Sequence, residues 1–202
     1  MEELIKRISI LFMRYGIRSV TMDDIARELS ISKKTLYQHF TDKDDLVKKI
    51  VDSYLKSQEC EIKGLCKSDM NAIDVLLVIS KYLTKQMSEI NLSVNYDLQK
   101  YHLESWKAIE NYRETHMFEN IKNNINDGIK QGLYRNDFNI DIVAKGYIIR
   151  FNPDDNIQEW IKNNNLTFEE VFQTLFIYHI RGIANKKGIE YLEQKIKNDQ
   201  IK

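Results

Sequence analysis

The chain has few of the residues that break helices. Its 202 residues include one proline and seven glycines. Stretches in which apolar β-branched residues alternate with polar ones, the pattern of a half-buried strand, are scarce. Apolar residues make up 43% and charged residues 30%, an ordinary balance for a globular protein. The composition therefore predicts an all-α fold.

Long apolar runs and a secretory signal are also missing. No run approaches the ~18 residues of a membrane span. The cysteines are two, Cys60 and Cys66. We therefore expect a cytoplasmic protein with reduced thiols and no membrane partner. A redox sensor built on this pair is the alternative, and it would need a lowered thiol pKa.

The patterns of catalytic and metal sites are absent from the sequence. We find no phosphate-cradling glycine loop, no nucleophile elbow and no distinctive carboxylate pair. The histidines and cysteines do not have the spacing of metal ligands; the histidines are His39, His102, His116 and His179. We expect no enzyme, no metal site and no cofactor.

Charge offers no simple signature of a nucleic-acid partner. Thirty basic and thirty acidic residues balance formally. Residues 1–50 hold ten Lys/Arg against eight Asp/Glu. Any argument for nucleic-acid binding must therefore depend on where the charges lie, since their total is neutral.

The first fifty residues contain the start and stop signals of four helices. An amphipathic pattern covers residues 2–15, and Gly16 is placed to end that helix in a Schellman-type turn. Thr21 is a good N-cap for a short second helix, with Asp24 completing a capping box. Ser30-Ile31-Ser32 forms a turn. These signals predict a helix-turn-helix.

Ser32 caps a third short helix, Lys33 to Phe40, whose Leu36 and Phe40 would anchor it to the first two. Lys34, Thr35 and Gln38 would point away from that anchor, flanked by Lys33, Tyr37 and His39. Lysines in a first turn oppose the helix dipole, a penalty that a phosphate backbone would reverse. The alternative is two solvated lysines. Lys43 raises the same question at the start of the fourth helix, capped by Thr41 or Asp42.

The rest of the chain continues in helical periodicity. We expect the fourth helix to reach about residue 60, a loop over 63–70, and a helix over 71–90. One short and one long helix should fill 91–131, followed by a turn at 132–137 and a helix over 140–151. The only proline should break the chain at 152–155. Thr167 and Glu170 form another capping box, for a helix to about Ala184, and Gly182 and Gly188 flank the break before a last helix over 189–196.

The stretch from Thr21-Met-Asp-Asp-Ile25-Ala26 through Thr35-Leu36-Tyr37-Gln-His39-Phe40 to Lys43 closely resembles the N-terminal domain of tetracycline-repressor-type (TetR) transcriptional regulators. The resemblance covers about Leu11 to Leu46. It implies that residues 1–46 form a helix-turn-helix DNA-binding domain and that residues 47–202 form a larger helical domain for ligand binding and dimerisation. Many relatives carry a small residue where Lys34 stands.

The resemblance implies the third helix in the major groove of double-stranded DNA. By position, the residues expected to contact bases or phosphates are Thr21, Lys33, Lys34, Thr35, Tyr37, His39 and Lys43. A homodimer would present two such helices about 34–36 Å apart to a pseudo-palindromic operator.

Two further sets of residues are candidates in the C-terminal region. Aromatic residues and histidines lie where relatives form ligand pockets: Tyr96, His102, Trp106, Tyr112 and His116. Plain core packing is their alternative. The helix after Thr167 is apolar around much of its circumference, which indicates a dimer interface through Phe168, Phe172, Leu175, Phe176 and His179, or a central core helix.

These patterns lead to one main hypothesis and one from a different class. The first is a dimeric DNA-binding repressor that an unknown small molecule releases from its operator. The second is a DNA-bound adaptor that uses its C-terminal surface to contact another protein, without a small ligand. A hollow between residues 70 and 150 would favour the first, and a filled core the second.

Overall fold

A computed structural model describes residues 1–88, 92–150, 160–161 and 163–198. The secondary structure of these ranges is helical, apart from an isolated antiparallel bridge between Tyr134 and Ala184. The all-α prediction is therefore confirmed. No helix in these ranges combines the length and the apolar character needed to cross a membrane. The predicted break at residues 152–155 lies outside the described residues.

The helices follow one another with short connections. Their bounds are α1 Glu2–Tyr15, α2 Met22–Glu28, α3 Lys33–His39, α4 Lys43–Leu65, α5 Ala72–Ser88, α6 Leu92–Tyr101, α7 Leu103–Tyr112, α8 Phe118–Lys130, α9 Ile140–Arg150, α10 Phe168–Ile183 and α11 Lys186–Asn198. A π-helical turn, Arg113–Met117, joins α7 to α8.

The chain divides into two compact units by its internal contacts. The N-terminal unit comprises residues 1–61 and 89–112, and the C-terminal unit comprises residues 62–88 and 113–202. Helices α6 and α7 thus belong by contact to the unit that contains the helix-turn-helix. The functional division at residue 46 stays a prediction.

The core of the N-terminal unit is built from the apolar faces of its helices. Ile8 and Phe12 of α1, Ile25 of α2 and Leu36 of α3 are at most 3% exposed. Val94 and Leu98 of α6 join the same cluster. Since α2 and α3 have only seven residues each, this shared burial is what keeps them folded.

The core of the C-terminal unit centres on α10. Phe176 and Ile180 are fully buried, and α10 packs along α5. A turn after α8 is fastened to the end of α10: the Arg135 N–H donates to the Ile183 carbonyl at 2.9 Å, and the Asn185 N–H donates to the Leu133 carbonyl at 3.0 Å. This junction fixes where α11 begins.

The predicted caps agree with the structure. Thr21 and Asp24 form a reciprocal capping box, and so do Thr167 and Glu170. The Ser32 hydroxyl accepts a hydrogen bond from the Thr35 N–H at 3.0 Å. Asp42 caps α4 by accepting from the Asp45 N–H at 2.8 Å. Local side-chain chemistry therefore sets these helix starts as expected.

The ending of α1 differs from the Schellman prediction. Gly16 ends the helix with φ 82° and ψ 153°, and its N–H donates to the Phe12 carbonyl. That backbone conformation is open almost only to glycine. A Cβ here would also lie 2.8 Å from the Ser93 Oγ of α6. The close approach of α6, which sequence could not show, explains the unusual turn.

Several other boundaries were wrong. Helix α4 continues to Leu65 instead of ending near residue 60, and α11 starts at Lys186, with the Asn185 side chain accepting from the Gly188 N–H at 3.0 Å. Gly188 lies inside α11 and does not flank a break. The segment expected to hold one short and one long helix forms α6, α7, the π-helical turn and α8.

Candidate nucleic-acid interface

Helix α3 is anchored to the core of the N-terminal unit by two apolar side chains. Leu36 is fully buried and Phe40 is 1% exposed, both in the core of the N-terminal unit. The turn before α3 depends on Ser30, which has a positive φ of 55°, and on the Ser32 cap. The predicted anchoring of α3 is thereby confirmed, and its opposite face is left toward solvent.

The outward face of α3 carries polar groups that have no protein partner in the described part of the chain. Lys34 and Gln38 are exposed, and Tyr37 is half exposed. They lie three and four residues apart along the helix, so they share one face. This triad combines a cation, a phenol and an amide, groups that reach base edges and phosphates in DNA complexes.

Two of the other predicted contacts already have partners. The Lys33 ammonium lies 2.6 Å from the Asp23 carboxylate of α2, and both side chains are exposed. Such an exposed pair stabilises by about 0–1 kcal/mol, so a phosphate could replace it at little cost. The Thr35 hydroxyl lies 2.7 Å from the Ser32 hydroxyl, which directs it toward the helix cap.

The next two predicted contacts lie at the ends of α2 and α3. The exposed Thr21 hydroxyl donates to the Asp24 carboxylate at 2.6 Å, and the two hydrogen bonds from Thr21 hold the pKa of Asp24 below its usual range. His39 is exposed, and its backbone carbonyl accepts from the Lys49 ammonium at 2.9 Å. Thr21 therefore serves as a cap, and the His39 ring remains at the surface.

Lys43 is partly enclosed at the start of α4. Its ammonium lies 3.4 Å from the Arg18 carbonyl and its side chain is half-buried. Burial lowers the pKa of Lys43, while the carboxylates of Asp97, Asp44 and Asp24 oppose that change. Lys43 thus sits in an acidic setting at the start of α4, instead of reaching freely into solvent.

Sequence reasoning missed the part that α6 takes in this unit. The Arg18 N–H donates to the Asp97 carboxylate at 2.8 Å, and the Arg18 guanidinium donates to the Tyr101 hydroxyl at 2.8 Å. The His102 Nδ1 lies 2.5 Å from the Asp44 carboxylate. These residues are 58 to 83 positions apart in sequence, so no local signal could have predicted the contacts.

The residues predicted to bind a ligand are divided between the two units. Tyr96, His102, Trp106 and Tyr112 lie in the N-terminal unit, and His116 lies in the C-terminal unit. The Tyr96 hydroxyl accepts from Lys100 at 2.6 Å. Trp106 packs against the core around Leu36, Tyr112 is buried, and His116 is exposed. Packing thus accounts for the positions of Trp106 and Tyr112, and the ligand role of all five residues stays a prediction.

A cavity of about 320 Å³ does occur within the C-terminal unit. It combines an apolar wall with a charged rim, and its lining residues are Lys67, Asp69, Met70, Asp74, Leu77, Val78, Lys81 and Lys195. On the rim, Asp74 accepts from the Tyr191 hydroxyl at 2.7 Å and lies 3.0 Å from the Lys195 ammonium.

The residues predicted for dimerisation face mostly inward. Phe172, Phe176 and His179 are buried in the core of their own unit, and Phe168 and Leu175 are partly buried. The His179 ring lies 4.4 Å from the Tyr147 ring of α9. The three buried side chains therefore form core packing, because α10 uses its aromatic face within the chain.

The cysteines and the acidic residues add no further site in the described ranges. Cys60 is exposed, and burial raises the pKa of the Cys66 thiol, which is opposite to the change that a redox sensor needs. No group of three or more His, Cys, Asp or Glu side chains that the structure describes is arranged to hold a metal ion.

A short helix anchored on one side, preceded by a capped second helix and a tight turn, defines a helix-turn-helix protein. Residues 4–50 match the family model of bacterial regulatory proteins, tetR family. The exposed face of α3 lies within that match. The N-terminal helices, residues 4–50, are therefore of the kind found in TetR-family transcriptional regulators.

Relatives found by sequence extend the likeness beyond the N-terminal helices. The chain is 23% identical over 193 residues to the HTH-type transcriptional repressor KstR2 of Mycobacterium tuberculosis, covering 93% of this chain and 94% of that protein. It is 27% identical over 93 residues to the HTH-type transcriptional regulator YvaF of Bacillus subtilis. That match covers 46% of this chain and about half, 49%, of YvaF.

Solved structures show the same fold at low identity. The structure of the ketosteroid transcriptional regulator KstR2 of Mycobacterium tuberculosis gives a TM-score of 0.56 at 19% identity, over 92% of this chain and 95% of that one. A TetR transcription regulator from Haloarcula marismortui gives 0.74 at 17% identity, over 91% and 97%. Both likenesses support an N-terminal helix-turn-helix followed by a helical region.

Proposed function

We propose that the protein is a repressor that binds a pseudo-palindromic DNA operator as a homodimer and is released by a small molecule. The observation that carries the proposal is the outward face of α3. Lys34, Tyr37 and Gln38 have no partner there within the described ranges, while Leu36 and Phe40 anchor the opposite face. Such a protein would act in the cytoplasm, where it meets DNA.

The polar triad has the chemistry for reading a major groove. A lysine pairs with guanine O6 and N7, and a glutamine pairs with adenine N6 and N7. Lys33, Thr35 and His39 flank the triad, and Thr21 and Lys43 lie at the helix starts on either side. We assign the triad to base recognition and these five residues to the phosphate backbone.

We place the dimer surface on the exposed sides of α9 and α10. Ile142 and Ile149 are 71% and 64% exposed, and they lie two turns apart on one face of α9. Tyr178 of α10 is 66% exposed. Large apolar side chains at this exposure are candidates for a protein interface. They replace the buried Phe172, Phe176 and His179 as the proposed interface.

Ile149→Lys is expected to separate the dimer, because a lysine in the centre of an apolar interface leaves a charge without a partner. Sedimentation velocity should give the wild type twice the 24.0 kDa chain mass, and the variant a single chain. Ile10→Lys is the matched control, since Ile10 is 58% exposed on α1. An Ile149→Lys variant that sediments as wild type would rule out this surface.

The small-molecule response is proposed for the C-terminal unit. The cavity of about 320 Å³ there is within the size range of small-ligand sites, about 300–1,000 Å³. Met70, Leu77 and Val78 supply an apolar wall. A ligand releases DNA only if it binds the DNA-free state more tightly than the bound state. Native mass spectrometry of the purified protein tests this part, since an adaptor would carry no small molecule.

Selection from a pool of random 30-base-pair duplexes tests the proposal as a whole. The wild type should enrich a pseudo-palindrome whose half-sites lie about one helical turn apart. Enrichment of a single half-site would contradict the homodimer. The absence of any enriched sequence, with weak binding that salt removes completely, would leave only non-specific DNA binding.

A further inference from the structure

The backbone of Arg18 has polar contacts with two other elements of the N-terminal unit. Its N–H donates to the Asp97 carboxylate of α6 at 2.8 Å. Its carbonyl lies 3.4 Å from the Lys43 ammonium at the start of α4. We call Asp97, the Arg18 backbone and Lys43 the Arg18 clamp. The clamp joins three elements: α6, the start of α4, and the loop that precedes α2.

The clamp lies against the core of the N-terminal unit. Asp97 is 6% exposed, and its neighbours Val94 and Leu98 are buried in the same core as Leu36. Two residues before Arg18, the backbone of Gly16 lies so close to Ser93 of α6 that a Cβ would not fit between them. A hydrogen bond that an N–H donates to a buried carboxylate is among the stronger polar contacts in proteins. The loop before Thr21 is therefore held against α6.

We propose that Asp97 is a positioning residue for DNA binding: through the Arg18 clamp it holds Thr21 and Lys43, the phosphate-binding starts of α2 and α4, in a fixed arrangement. Arg18 is three residues before Thr21, and Lys43 is itself a member of the clamp. This inference rests on the proposed DNA-binding function. It assigns to a residue of α6, far outside the helix-turn-helix sequence, a part in recognising the phosphate backbone.

Asp97 also has an electrostatic part in the clamp. Three carboxylates face the Lys43 ammonium: Asp97 from α6, Asp44 from α4 and Asp24 from α2. Burial lowers the pKa of Lys43, and of the three carboxylates Asp97 opposes this most. Removing the Asp97 charge should lower the pKa of Lys43 further. Because a phosphate binds only the charged ammonium, DNA affinity should then fall at a lower pH than in the wild type.

Two substitutions separate the hydrogen bond from the charge. Asp97→Ala removes both, whereas Asp97→Asn keeps an oxygen that accepts from the Arg18 N–H. The probe is the duplex that the wild type enriches from the random pool, with affinity measured from pH 7 to 10. Hydrogen exchange of the Arg18 amide reports the clamp without DNA. Asp52→Ala, at an exposed position of α4, is the control, and circular dichroism checks folding.

Asp97→Ala should bind the duplex about 10-fold more weakly at pH 7 and exchange its Arg18 amide faster. Asp97→Asn should stay within about threefold at pH 7, yet lose affinity at a lower pH than the wild type. The inference is overturned if a folded Asp97→Ala variant binds the duplex with wild-type affinity and exchanges its Arg18 amide at the wild-type rate. It is also overturned if the affinity of Asp97→Asn depends on pH as that of the wild type does. If the wild type enriches no duplex, the DNA-binding proposal fails, and this inference, which rests on it, fails as well.

Discussion

Phe40→Ala should destabilise the N-terminal unit by about 3–5 kcal/mol and abolish DNA binding. Phe40 is 1% exposed and is among the largest fully buried side chains. Together with Leu36 it is the apolar anchor of α3, a helix of seven residues. Since so short a helix has no stability of its own, loss of the anchor should release it.

Tyr37→Ala is the matched control for this experiment. Tyr37 is an aromatic residue of α3, three positions before Phe40, but it is 50% exposed. Its removal should change stability by no more than about 0.5 kcal/mol. Hydrogen exchange over a urea series should be followed for the amides of the N-terminal unit, because two compact units need not unfold together. Equal effects of the two substitutions would contradict the assigned orientation of α3.

Gly188→Ala should strongly destabilise the C-terminal unit. A Cβ at Gly188 would lie 2.2 Å from the Leu133 carbonyl oxygen and 3.1 Å from the Ala184 Cβ. The nearer atom belongs to the backbone of a turn that is itself bonded to Asn185. It cannot move aside as a flexible side chain would, so we expect a cost of about 3 kcal/mol or more.

Gly182→Ala supplies the control, since Gly182 also lies in a helix but has open space where a Cβ would stand. There the substitution should stabilise the protein by about 0.5–1 kcal/mol, because alanine favours the helix. Thermal unfolding of both variants measures the difference. A Gly188→Ala protein as stable as Gly182→Ala would mean that α11 does not approach the Leu133 turn as described.

The sequence predicts well what is decided by local chemistry. Thr21 and Ser32 cap their helices because a hydroxyl satisfies a nearby backbone N–H, and both signals are visible within four residues. Leu36 and Phe40 are buried because their spacing places them on one face. The helix-turn-helix and the orientation of α3 follow from such signals.

Contacts between distant segments are what the sequence conceals. The Asp97 and Arg18 pair spans 79 positions, and no periodicity indicates it. Gly188 looked like a helix breaker, whereas the structure uses it for close approach to Leu133. Aromatic periodicity in α10 showed correctly that the helix is buried on a wide face, but periodicity alone cannot say whether a core or a second chain covers it.

The most direct test of the central claim is an equilibrium binding measurement on the duplex that the wild type selects, compared with a scrambled duplex at two salt concentrations. Tyr37→Ala should remove the preference for the selected duplex, whereas Lys43→Ala should weaken binding to both duplexes alike and reduce the salt slope by about one. Tyr96→Ala, which removes an exposed tyrosine on α6, should bind as wild type. Retention of the full preference by Tyr37→Ala would contradict the assignment of α3 to the DNA groove.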